Sequence, residues 1–165
     1  MRAVTAQAMT AVDWELSRTV AREVGARTRE CYSNAARAVL NVRLEGRNPC
    51  YVEGAAVVLI GEASLVALEH AWVELADGQV VEPTWVLDGT GEARAYFPIG
   101  KWDVEAVVEA VVERRKFPLL WTYGFGGCRH PQAAPAWDAA RAWVAAQGTA
   151  EPASCGGPGQ MERLR

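Results

Sequence analysis

The chain has 165 residues, half of them apolar and 22% charged, with a net charge of −3. That is the composition of one soluble globular domain with a sizeable core. The slight acidity gives no reason to expect nucleic acid or an anionic membrane as partner, and no apolar run reaches the ~18 residues a membrane span needs.

The four cysteines, Cys31, Cys50, Cys128 and Cys155, are widely spaced and form no Cys-x-x-Cys pair. This argues against a disulfide framework or a zinc knuckle and for thiols in a reducing cytoplasm. Met1 to Asp13 lack the long apolar core of a signal peptide. Cys128-Arg129-His130 offers two metal ligands but no partner pair at suitable spacing, so no metal is expected. The basic cluster Arg114-Arg115-Lys116 closes a predicted helix, where it complements the negative end of the helix dipole.

Residues 1–11 are small and polar and are expected to be poorly ordered. From Val12 to Val24 the pattern turns helical, with Leu16, Val20 and Val24 repeating every four residues and Gly25 placed as a stop. A second helix begins near Thr28 or Glu30. Thr28 as N-cap puts Cys31 in the first turn, and Ala35, Ala36, Val39 and Leu40 mark the buried face. Gly46-Arg47-Asn48-Pro49 reads as a loop. Tyr51 to Ile60 reads as a strand, and its continuously apolar second half predicts a central position. Segments near 66–75 and 79–86 form a hairpin around Asp77-Gly78, a strong turn signal. A further strand is expected at 94–99, then a helix from Asp103 as N-cap through Val104, Val107, Val108, Val111 and Val112. There the helical period outweighs the strand preference of valine. Residues 119–125 suit a last strand. A final helix starts near Pro135 with Trp137, Ala140 and Val144 on one face. The expected fold is α+β, an antiparallel sheet packed against helices, with residues 1–147 as one domain and 148–165 as a mobile tail.

Cys31, His70 and Glu82 form the candidate catalytic set. Acyl chemistry needs a nucleophile, a base to activate it and a group to orient the base. A helix start and a nearby imidazolium favour a thiolate, and a backbone N–H at that helix end can donate to a developing oxyanion. His70 is placed to take the proton, and Glu82 to hold the other ring nitrogen. Trp72 shares the strand face of His70 and is placed to shield the pair from water. Two more residues are candidates for supporting roles. Asn34, three residues after Cys31, suits either the same groove or a satisfied surface amide. Glu53 suits either a buried acid near the site or a salt-bridged strand residue.

The hairpin register decides whether Glu82 can reach His70. A plain two-residue turn sets Glu82 opposite Val73 and aims it at the wrong face. A three-residue loop sets it opposite Trp72 and diagonal to His70, within a glutamate's reach. Pro83 can also end the ladder and bend the strand. The three residues therefore meet only if the hairpin carries a bulge or a bend.

The order Cys31, then Tyr51-Val52-Glu53-Gly54, then His70-Ala71-Trp72, then Glu82-Pro83-Thr84 resembles the transglutaminase-like branch of the papain-like cysteine enzymes. The resemblance spans roughly residues 28–86. It implies a papain/transglutaminase-like fold with the nucleophile at a helix N-terminus and an acyl-thioester on Cys31. His70 would be general base and Glu82 the orienting acid, with no cofactor. Substrates in such a family are peptides, protein side-chain amides or small amides. Glutamate stands where the family has aspartate, and no upstream glutamine of the papain oxyanion type is present. Those departures keep a second reading open, a non-catalytic binding or scaffold protein of the same fold. Oligomeric state is not legible in the sequence.

Overall fold

A computed structural model describes residues 8–60, 64–88, 93–113, 117–120 and 130–147. The architecture is mixed α/β, with a curled antiparallel sheet packed against several helices. Helix α1 spans Trp14–Glu23. Asp13 caps it by accepting from the Leu16 N–H at 2.9 Å, and Gly25, at φ +58°, ends it. Only a residue tolerant of the left-handed region fits at that stop.

Helix α2 spans Cys31–Val39, so Cys31 is its first residue. Thr28 is not its cap. Arg29 sits at φ +63°, which no residue inside a right-handed helix can adopt, and Glu30 takes the N-cap position without a side-chain bond. Ala35, Ala36 and Ala38 are buried, and their small size lets the helix lie close on the sheet.

The sheet order is β3-β2-β1-β4, with β1 at Cys50–Ile60, β2 at Ser64–Glu74, β3 at Val80–Val81 and β4 at Ala93–Trp102. Central β1 pairs with β2 and β4 and is buried from Tyr51 to Val58, as its unbroken apolar run requires. Side chains alternate between the two faces. Tyr51, Ala55, Val57, Ala71 and Val73 face α2 and α5 (Ala133–Ala146). Val52, Ala56, Val58 and Trp72 face the other way, with Tyr96 of β4.

The N-terminal segment covers that second face. Met9 exchanges two backbone bonds of 2.9 Å with Tyr96, while Val80 donates to Ala11 at 2.8 Å and accepts from Asp13 at 3.0 Å. Residues 8–13 thus bridge the two edge strands of the sheet. The expected disorder therefore does not extend to Met9–Ala11. Met9, Val12 and Trp14 bury apolar surface on the cluster below, and residues 1–7 lie outside the described region.

The hairpin between β2 and β3 has a three-residue loop, Ala76-Asp77-Gly78. Leu75 donates to Gln79 at 2.9 Å, Gly78 donates to Leu75 at 2.9 Å, and Gly78 has φ +82°. This is a tight turn closed by a left-handed residue. Val73 pairs with Val81 and Glu74 with Val80, and there the ladder stops. The expected strand at 79–86 is thus cut to two residues. Pro83 has no N–H to continue it, and the chain turns into a short helix, α3 (Trp85–Asp88).

Helix α4 (Val104–Val112) is capped by Asp103, which accepts from Ala106 at 2.9 Å. Leu119 and Leu120 form bends, and the rest of the strand expected at 119–125 lies outside the described residues. So do Cys128, Cys155 and the tail at 148–165. Among the described residues, no helix is long and apolar enough to cross a membrane, and no group of three potential metal ligands occurs.

Candidate active site

His70 lies on β2, on the face opposite Ala71, and is only 3% exposed. The short β3 ladder reaches only Val73, so no β3 residue pairs with β2 at His70. The turn after β3 fills that space. Glu82, fully buried, accepts from His70 Nε2 through Oε2 at 2.7 Å. The register responsible is the three-residue loop, which sets Glu82 diagonal to His70.

The carboxylate is fully satisfied. Oε2 also accepts from the Tyr96 hydroxyl at 3.2 Å, and Oε1 accepts from the backbone N–H groups of Thr84 at 2.8 Å and Trp85 at 3.2 Å. The Glu82 N–H is bonded too, to Ser17 Oγ of α1 at 2.8 Å, and Ser17 in turn donates to the Asp13 carbonyl. A buried carboxylate with four donors keeps its charge at low cost, whereas one left short of donors would not.

Trp85 stacks flat on the His70 ring, centroids 3.7 Å apart and planes 6° apart. It covers the imidazole, the role expected of Trp72. Trp72 does share the His70 face, but its ring packs on Tyr96 at 4.9 Å. Its indole N–H is buried without a hydrogen-bond partner among the described residues.

The pKa of His70 is raised to about 9. Burial alone pulls it down and is the largest single influence. The negative charge of Glu82, a hydrogen bond with the Cys31 side chain, the hydrogen bond to Glu82 and the charge of Cys31 together outweigh it. The imidazolium is therefore the dominant form at neutral pH. Cys31 itself is half-buried at the start of α2. The first N–H groups of a helix have no acceptor within it, so this end offers donors to an anion.

Asn34 is buried rather than a surface amide, and it uses its whole bonding capacity. Its Oδ1 accepts from Arg27 N–H at 3.0 Å and Arg37 Nη2 at 2.7 Å, and its Nδ2 donates to the Arg27 carbonyl at 2.6 Å and Thr84 Oγ1 at 3.0 Å.

Glu53 lies on the α2 side of the sheet. It is buried and makes no ion pair among the described residues. Its carboxylate accepts from the Tyr51 hydroxyl and from the backbone N–H groups of Leu119 and Leu120, the latter at 2.8 Å. Burial raises its pKa, its hydrogen bonds oppose that, and Glu69 adds a smaller upward push. Tyr51 is pushed well above the usual tyrosine value, first by burial and then by Glu53, with a smaller contribution from Cys31. Glu53 therefore anchors the 119–120 bend beside the Cys31 helix and does not touch His70.

His70 and Glu82 thus meet as the sequence required, with Asn34 tied to the same turn. Trp85, Tyr96, Ser17 and Thr84 complete the cluster; of these only Thr84 stood in a motif read from sequence, and none was given a role. Thr84 and Trp85 had a signal, since they directly follow the Glu-Pro pair. Ser17 and Tyr96 had none, because the contacts that bring them here are long-range. The fold and cluster define a mixed α/β protein with a buried imidazole held by a buried carboxylate, and a half-buried cysteine at the start of α2. Comparison with protein-family models, curated proteins and solved structures finds no match to the chain.

Proposed function

We propose that this protein is a cysteine-dependent enzyme of acyl transfer on amides, of the transglutaminase-like kind that its motifs resemble. Cys31 is the nucleophile, His70 the general base and acid, and Glu82 the orienting acid. The observation that carries this reading is the buried His70–Glu82 pair at 2.7 Å. The four donors to the carboxylate and the flat Trp85 stack hold the imidazole in one orientation, as a general base requires.

The chemistry follows from those roles. Glu82 holds Nε2–H, and Nδ1 holds the proton taken from the thiol, so that the reaction starts from sulfur paired with the imidazolium. Sγ attacks the amide carbonyl carbon, and the C=O pair moves onto oxygen. The Cys31 N–H at the helix start donates to that oxyanion. The intermediate collapses as the C–N bond breaks, and the departing amine takes the proton back from His70. Water or a second amine then attacks the thioester, His70 accepts its proton, and the thiol is released. The substrate class is a peptide, a protein side-chain amide or a small amide.

The test is acylation by an activated ester such as p-nitrophenyl acetate. We expect a burst of nitrophenolate with one acetyl group on Cys31, located by mass spectrometry. Cys31→Ala abolishes the burst and His70→Ala slows it sharply. An equal burst from Cys31→Ala would remove the basis of the proposal. Iodoacetamide gives a second arm, with Cys31 labelled near neutral pH faster than Cys50 or Cys128.

A further inference from the structure

The buried amide of Asn34 spans two parts of the site that the chain brings together from far apart. Two of its bonds go to the N–H and C=O of Arg27, at 3.0 and 2.6 Å, so it closes the loop that feeds into α2. That loop contains Arg29 in the left-handed region and ends at Glu30, the residue before Cys31. A third bond, at 3.0 Å, goes to Thr84 Oγ1. Thr84 in turn gives its N–H to Glu82 Oε1 at 2.8 Å, and Glu82 Oε2 holds His70. An unbroken path of short bonds thus runs from the helix start to the imidazole: Arg27, Asn34, Thr84, Glu82, His70.

An amide has two donor hydrogens and two acceptor positions, and here all four are used. A buried network satisfied throughout is rigid and specific, and each missing partner leaves a costly orphan. Asn34 itself is one helical turn beyond Cys31 and has no bond to His70 or Glu82. What it fixes is the position of the α2 start relative to the acid-bearing turn. We infer that Asn34 is a positioning residue for the acyl-transfer reaction, locking the Cys31 helix to the Glu82-Pro83-Thr84 turn through the Thr84 hydroxyl so that thiol and imidazole stay in register. The inference rests on the reading of Cys31 as nucleophile, and the experiment below separates the two.

Thr84→Val is the cleanest perturbation. It removes the hydroxyl from the Asn34 bond, keeps the shape, and leaves the Thr84 N–H on Glu82. Thr84→Ser restores the hydroxyl. Asn34→Asp removes the donor from the other side. The full chain and these variants are compared by the rate of iodoacetamide alkylation at Cys31 across about pH 5 to 10, with melting temperature measured in parallel. Thr84→Val and Asn34→Asp should slow alkylation near neutral pH by roughly tenfold to a hundredfold, the range a ~1 Å misplacement produces. They should also change the pH dependence of alkylation, because the sulfur and the imidazole no longer share one fixed geometry. Thr84→Ser should recover both rate and profile. A Thr84→Val variant with the parent rate and profile overturns the inference. So does a slower rate with an unmoved profile that Thr84→Ser shares, because that marks packing alone. If Asn34→Asp does not fold, Thr84→Val and Thr84→Ser decide the matter. If the parent chain is alkylated at Cys31 no faster than at Cys50 near neutral pH, the nucleophile reading itself falls.

Discussion

Replacing Glu82 by glutamine tests the charge of the site without changing its shape. The glutamine carbonyl can keep the bonds from Thr84 and Trp85 that Oε1 now accepts, at 2.8 and 3.2 Å. Its NH₂ then faces His70 Nε2, where the carboxylate now accepts at 2.7 Å. Two consequences follow. With the amide donating to Nε2, the neutral ring must carry its proton on Nδ1, the nitrogen needed to accept from the thiol. The charge that holds His70 up is also gone, while burial, which pulls it down, remains. A rise from 6.5 to about 9 corresponds to roughly 3 kcal/mol in favour of the imidazolium. Losing it lowers the ratio of imidazolium to imidazole at any given pH by a few hundredfold, and a wrong tautomer extends rate losses in triads of this kind to about 10⁴. The assay is the second-order rate of iodoacetamide alkylation at Cys31 near pH 6 to 7, with Cys50 as internal reference. The imidazole can be followed directly by NMR, because the chain has only two histidines and His130→Gln identifies the other. We expect the His70 titration to fall well below about 9, and the alkylation rate to drop by two orders of magnitude or more. A Glu82→Gln protein with alkylation within threefold of the parent would refute the coupling.

Further outcomes follow from the same geometry. Acyl transfer should decline as pH rises through about 9, where His70 loses its proton, and a rate still climbing there would contradict the assigned role. Stability should follow the same group. Its folded value lies above the unfolded 6.5, so the imidazolium stabilises fully below 6.5 and the gain is lost as pH rises through about 9; denaturant midpoints across that window measure it. Gly54→Ala should destabilise the chain by at least about 3 kcal/mol in urea unfolding. Its Cβ would sit 2.2 Å from the Phe97 carbonyl oxygen and 2.8 Å from the Trp72 ring, and the first is backbone that cannot step aside. Glu53→Gln should cost about 1–3 kcal/mol despite its matching size, because an NH₂ would face a backbone N–H that now has an acceptor. If that variant melts with the parent, the carboxylate does not hold the 119–120 bend.

Local pattern was enough for the elements with a clear period. The α4 valines repeat every three to four positions, and Asp103 and Asp13 cap their helices as their side chains allow. The central place of β1 followed from an apolar run with no polar face. Of the two positions offered for the α2 start, the later one, at Glu30, holds: Thr28 has the right chemistry for a cap, but the loop that Asn34 ties to Arg27 puts Arg29 into a left-handed turn first. No local signal predicts a bond across seven residues into a loop. The bridging of the sheet edges by residues 8–13 was hidden for a similar reason. Its backbone groups are satisfied by Tyr96 and Val80, far along the chain, so composition alone reads as a frayed end.

The geometry of the site makes use of the full length of the Glu82 side chain. The carboxylate has two tasks. One oxygen must satisfy the N–H groups of the residues two and three further on, Thr84 and Trp85, which lets the chain turn sharply after Pro83. The other must reach across to β2, and the distance to His70 is fixed by where the β3 ladder stops. Had the hairpin closed with two residues, the side chain would point to the opposite face and no extra length would help. The three-residue loop sets it on the correct face but only diagonal to the imidazole, a span of roughly 7–8 Å between backbones. An aspartate at that position would be shorter by one carbon and would have to choose between the local N–H groups and the ring. The added methylene lets one carboxylate do both, while Ser17 holds the Glu82 N–H from behind so that the longer arm does not swing. The loop length and the residue type therefore work together: register sets the distance, and the glutamate side chain matches it.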